Sequence, residues 1–254
     1  MMRALAEFIM AGRLRAVLVV VFSYPLHILL GPFYLISPAV LGLVLLRHGL
    51  SEACLVLLWL ILPMVILLNT TDVRGTMVWV SIFSLLVLLV GAIVLARTRD
   101  WPSALKVILG LSLICGVVMK SWLASDVTAM REVLNEMFSQ FQQQNSALVF
   151  EFGDLFIAGL LSWLIAFTSM MALLLARWWQ SLLYNPGGFG VEFHALRFDR
   201  LSASLLFVAL MGCYLLGQEY VAWGNLLGLP LLLSGVALVH HSVAFAGLGT
   251  RWIV

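Results

Sequence analysis

Apolar residues in this chain run in long unbroken stretches, not in the alternation of a half-buried strand or the one-sided stripe of a surface helix. Crossing the hydrocarbon of a bilayer takes about 17–25 mostly apolar residues. Six runs meet or nearly meet that length: Ala53 to Leu68, Thr76 to Ala96, Val107 to Ala124, Leu155 to Ala176, Leu201 to Gly217 and Leu226 to Leu248. Each predicts a membrane-crossing helix. Ahead of them, the stretch from Ala16 to Leu46 is broken by Pro25, Gly31-Pro32 and Pro38, and reads either as one long kinked helix or as two short passes.

Charge decides between the two. With two passes and a cytoplasmic N-terminus, Arg3, Arg13, Arg15, Arg47, Arg97, Arg99, Lys106, Arg177, Arg197, Arg200 and Arg251 fall inside, and only Arg74, Lys120 and Arg131 fall outside. With one pass the split becomes nearly even and loses its orienting power. The prediction is therefore an all-α polytopic integral membrane protein, residues 1–254 forming a single transmembrane domain of about eight crossings. The first two are short and Pro/Gly-broken. Composition agrees: 63% hydrophobic and 10% charged residues with mean hydropathy +1.09 describe a lipid-solvated chain. The expected location is the bacterial cytoplasmic (inner) membrane, with the lipid bilayer as first partner, and nucleic acid is not expected as a partner.

The N-terminal residues fit no cleavable signal peptide, since the first apolar run comes late and lacks a small-residue cleavage site. Leu5, Phe8, Ile9 and Gly12 among Arg3, Arg13 and Arg15 suit a short helix at the cytoplasmic lipid surface. The largest outer loop, 125–152, carries Val127, Met130, Leu134, Met137, Phe138 and Phe141 at three- and four-residue spacing. That spacing predicts an amphipathic helix, capped by Ser125 or Asp126 and loosening into a connector at Gln140 to Asn145. Cys54, Cys115 and Cys213 lie singly inside crossings and read as small apolar fillers. His27 and the adjacent His240-His241 have no Asp, Glu or Cys at ligand spacing, so no metal site is expected; no cofactor is expected either.

Two polar groupings are candidate sites. On the cytoplasmic side, the loop 177–200 contains Arg177, Trp178, Trp179, Tyr184, Asn185, Pro186, Gly187, Gly188, His194 and Arg197. Asn-Pro-Gly-Gly stops a helix, and successive free amides in such a turn form an anion-binding nest beside Arg177, His194 and Arg197. The alternative is a rigid corner whose aromatic residues anchor two helices at headgroup level, or a surface that docks another protein. At the outer face, Asp72, Arg74, Lys120, Asp154, Glu219 and Tyr220 gather at one mouth, where they hold a polar ligand under the loop helix or sit in headgroups.

The passage Arg-Trp-Trp-Gln, then Leu-Tyr-Asn-Pro-Gly-Gly-Phe-Gly, then Glu-Phe-His-x-Leu-Arg resembles the DUF2232 (YybS-like) family of bacterial membrane proteins, over most of the chain. That family is similar in fold to the S components of energy-coupling-factor transporters. The resemblance implies a helical fold with a ligand cavity near the outer surface, an unknown small molecule as ligand and a separate energising transporter module as partner. The leading expectation is thus a non-enzymatic, substrate-binding transport subunit. The alternatives are a membrane scaffold that docks a cytoplasmic or membrane partner through the Asn185–Gly190 turn, and a lipid-acting intramembrane enzyme using Glu192 and His194 side by side on an extended segment.

Overall fold

The computed structural model describes residues 2–30, 34–67, 73–142 and 151–247. All regular structure among them is helical. In chain order the helices are α1 (Met2–Met10), α2 (Arg13–Leu30), α3 (Ile36–His48), α4 (Leu50–Leu67), α5 (Val73–Thr98), α6 (Trp101–Trp122), α7 (Ala124–Gln142), α8 (Asp154–Tyr184), α9 (Gly188–His194), α10 (Arg200–Leu215) and α11 (Gln218–Phe245). The Ala16–Leu46 stretch is divided between two helices, α2 and α3.

Four stretches are long and apolar enough to cross a membrane: Gly75–Thr98, Trp101–Trp122, Asp154–Tyr184 and Gln218–Phe245. The helices α3 and α10 are shorter, 13 and 16 residues, or about 20 and 24 Å at 1.5 Å per residue. Side-chain placement is that of an integral membrane protein. Hydroxyl groups such as Ser84, Ser112, Ser162, Thr168 and Ser169 are buried, while Phe22, Leu58, Leu201, Val208, Leu215 and Leu238 are largely exposed. Water would penalise apolar exposure on this scale; lipid does not.

The hub is α8, which packs against α1, α3, α5, α6, α7, α9 and α11. Small residues let the helices close on it. A Cβ added at Gly116 of α6 would overlap Ser162 Oγ of α8, and one at Gly159 of α8 would come within 3.0 Å of Ala222 of α11. Such small-residue contacts are how helices associate where lipid removes the hydrophobic drive.

Contacts between chain segments define two ends. At one, Arg13 pairs with Glu52, the Arg47 guanidinium lies 4.1 Å from the Tyr184 ring centroid, and Lys106 Nζ meets Asp199 at 3.1 Å. At the other, Thr76 donates to the Asp126 carbonyl at 3.3 Å and Arg131 meets Asp154 at 3.1 Å. Arg13, Arg47, Arg99, Lys106 and Arg177 share the first, basic end; Arg131 and Lys120 belong to the second.

Several local expectations are corrected. The amphipathic helix α7 continues through Gln140–Gln142, and Ser125 and Asp126 fall within its first turn instead of ahead of it. The N-terminal α1 does not simply rest on lipid: Ala6 and Ile9 are buried against the bundle, because its apolar face finds α2 and α8. The 177–200 segment is not all loop, since α8 runs on through Tyr184.

Candidate functional site

The second end holds an open cleft. It forms because α7 packs across α5, α6 and α8, burying Val127 and Met130 and leaving its polar face toward the start of α8. One turn after Arg131, Asn135 clamps the incoming chain: its Nδ2 donates to the Phe152 carbonyl at 3.1 Å, and the Phe152 amide donates to its Oδ1 at 2.9 Å. Phe152 then stacks on Phe156 at 4.8 Å and meets Phe138 edge-on at 5.0 Å.

The first turn of α11 supplies Glu219. Its Oε2 accepts from the Phe156 amide at 3.2 Å, so a carboxylate from one helix satisfies an orphan donor at the positive N-terminus of another. One turn further on, Trp223 Nε1 donates to the Leu155 carbonyl at 2.9 Å. A Cβ at Gly153 would overlap the Glu219 carboxylate, so any larger residue there would displace that carboxylate from its present position.

Two adjoining clefts result. One, of about 640 Å³, is lined by Arg131, Glu132, Asn135, Glu151, Phe152, Gly153 and Glu219. The other, of about 200 Å³, is lined by Glu151, Phe152, Phe156, Gln218, Glu219 and Val221. Arg131 meets Asp154 at 3.1 Å and Glu132 at 4.0 Å, so one guanidinium is shared among several carboxylates, and Glu132, Glu151 and Glu219 leave the space negative beside two stacked aromatic rings.

Of the residues expected at this face, Asp154 and Glu219 come together around α7. Lys120 and Tyr220 are exposed at the same end and line neither cleft. Asp72 lies outside the described residues, and of Arg74 only the helical backbone is described. Arg131, Asn135, Glu132 and Glu151 were not singled out by sequence. The available signal was the polar face of α7, where Arg131 and Asn135 stand at i and i+4.

The first, basic end is organised differently from the expected nest. The Gly188 amide donates to the Asn185 carbonyl at 2.9 Å, and the Phe189 amide donates to Ser181 Oγ at 3.0 Å, so two successive amides that such a nest would use are already occupied. Gly187 takes φ 84°, open to glycine at no steric cost. The turn is therefore a self-satisfied corner with Tyr184, Asn185, Pro186 and Gly187 exposed at its apex.

Arg177 is held by Glu192, through Nε–Oε2 at 2.8 Å and a second Nη2–Oε1 contact, with Nη1 on Gln180. Trp101 Nε1 also donates to Glu192 at 3.4 Å. Hydrogen bonding from Arg177 holds the Glu192 carboxyl below the usual carboxylate range; burial opposes this, and the charges of Arg177 and Arg99 and the Trp101 bond add to it. Glu192 and His194 lie on helix α9, not on an extended strand, and take different partners: the His194 ring lies 5.7 Å from that of His241.

The tryptophans also separate. Trp178 is half-buried, whereas Trp179 is fully buried with no hydrogen bond to its Nε1 among the described residues. It is part of the core, not a headgroup anchor, because α8 is surrounded at this level. Arg197 is exposed and makes no ion pair among the described residues.

Between the ends, Tyr34, Ser37, Ser81, Ser84 and Thr168 line a cavity of about 30 Å³, with Tyr34 Oη and Thr168 Oγ1 2.9 Å apart. That space suits one water and no metabolite. Among the described residues no cluster of His, Cys, Asp or Glu is arranged to hold a metal ion. No family model, curated protein or solved structure matches this chain.

Proposed function

We propose that this protein is a substrate-binding subunit of a membrane transport system, with eight crossings and its basic end in the cytoplasm, taking a small amine-bearing molecule in the cleft beneath α7. The observation that carries this reading is the pair of adjoining clefts in which three carboxylates outnumber the one guanidinium, beside the Phe152–Phe156 stack. A cation gains from both surroundings, by charge and by the negative face of an aromatic ring. The basic excess at the opposite end supports the orientation. The DUF2232 resemblance supports the same class and adds a bacterial inner membrane and an energising partner.

The test is thermal unfolding of the protein in phosphatidylcholine nanodiscs against a panel of primary amines and quaternary ammonium compounds. One class is expected to raise the midpoint saturably. Glu219→Gln keeps an acceptor for the Phe156 amide and removes the charge, so it should leave the ligand-free midpoint nearly unchanged and weaken binding about tenfold. If no amine stabilises the native protein, the reading fails.

A second reading, docking of another protein, is favoured by the exposed apex of a pinned corner. It predicts a stoichiometric companion on gentle extraction that Asn185→Ala with Pro186→Ala removes; retention of the companion by that variant would rule out this surface.

A further inference from the structure

At the basic end, a cleft of about 380 Å³ opens between α3, the end of α5, and α8 with its corner. Its lining combines three apolar residues, Leu46, Leu95 and Ala96, with the polar Arg99, Arg177, Gln180, Asn185 and Glu192. Two guanidinium groups face one carboxylate, which leaves a net positive charge. Glu192 fixes the guanidinium of Arg177 without exhausting it: three N–H donors are engaged, by Glu192 twice and Gln180 once, out of the five an arginine carries.

Arg99 is the less expected member. Its side chain makes no hydrogen bond or short ion pair among the described residues, and its backbone, whose amide donates to the Leu95 carbonyl at 2.9 Å, sits at φ 54°, a left-handed position that costs a residue with a Cβ about 1 kcal/mol or more. Glycine would fit that backbone better, so chain geometry does not explain an arginine here. The cleft does: Arg99 lines it together with Arg177 and Glu192, near enough for its charge to act on Glu192.

The geometry points to a binding site for a phosphoryl oxyanion, held between Arg99 and Arg177 at the basic end of the bundle. Guanidinium N–H pairs match phosphate oxygens in spacing and charge. Asn185 adds an amide to the same lining, while Gln180 is engaged with Arg177 and the Leu46 carbonyl, and Leu46, Leu95 and Ala96 suit the glycerol or acyl part of a phospholipid. Free phosphate and an anionic lipid headgroup present the same chemistry here.

The test compares the native chain with Arg99→Gly, which relieves the left-handed backbone and so should fold with an unchanged or slightly higher midpoint. Each is placed in pure phosphatidylcholine nanodiscs and titrated with inorganic phosphate at constant ionic strength, and in parallel in nanodiscs containing phosphatidylglycerol, with bound lipid read by native mass spectrometry. The native chain is expected to be stabilised by phosphate or to retain phosphatidylglycerol over phosphatidylcholine, and Arg99→Gly to weaken that effect about tenfold or more. A phosphate response marks a soluble ligand, and phosphatidylglycerol retention alone marks a headgroup. No response to either, or a response equal in the two proteins, overturns the site. Because the amine cleft lies at the other end, Arg99→Gly should leave amine binding intact.

Discussion

Leucine at position 116 is expected to open the seam between α6 and α8 and to cost about 3 kcal/mol of stability, toward the upper end of what overpacking a well-formed core does. The seam sets Gly116, one turn after Ser112 on α6, against Ala158 and Ser162 on α8, all buried. Even a single Cβ at Gly116 would overlap Ser162 Oγ and approach the Ala158 carbonyl oxygen to 3.1 Å and the Trp223 ring to 3.0 Å. The hydroxyl can rotate away, but a backbone carbonyl in a helix and a tryptophan tied to Leu155 cannot. In lipid no gain from apolar burial offsets the lost contact. Gly116→Ala should therefore lose about 1.5 kcal/mol, and adding Ser162→Gly should recover part of it. Reversible unfolding in mixed detergent micelles, followed by circular dichroism, measures all three. A Gly116→Leu protein within about 0.5 kcal/mol of the native one would mean that the helices do not meet there.

That seam shows what hydropathy could and could not reveal. Runs of Leu, Val and Ile announced the long helices, because lipid solvation needs nothing more specific than apolar length. Gly116 and Ser162 looked like ordinary members of those runs, since close approach is a property of a pair and sequence presents one helix at a time. The same limit governed the sites. Asp154 and Glu219 were recognisable as ionisable groups beside apolar runs, whereas Arg131 and Asn135 joined them only when α7 folded back over the start of α8. At the basic end the turn chemistry of Asn185–Gly188 was legible. Its chemical role changed once Ser181, four residues earlier on α8, was seen to accept the Phe189 amide. Arg99 was legible only as one more basic residue after an apolar run; its left-handed backbone carried no signal, because such a position at a helix end normally advertises itself by glycine.

The second large effect belongs to the Arg177–Glu192 contact, which ties α9 to α8 where α9 has no buried residue of its own. Arg177→Ala should cost about 2 kcal/mol, because the side chains are 22% and 32% exposed. That places the pair between a solvated surface bridge and a fully buried one. The loss should appear as early release of α9, seen as faster amide hydrogen exchange over residues 188–194 with the rest of the bundle protected. Acid should reproduce it. The folded Glu192 carboxyl titrates below the ordinary glutamate range, so its contribution is complete above that range and disappears as pH falls through the lower, folded value. Glu192→Gln removes the titrating group, so its stability should start lower at neutral pH and fall less steeply in acid, the two curves converging once the native carboxyl is protonated. Parallel curves from neutral pH down to about pH 3 would show that Arg177 does not favour the ionised form, and the contact would then be a neighbour relation without energetic consequence.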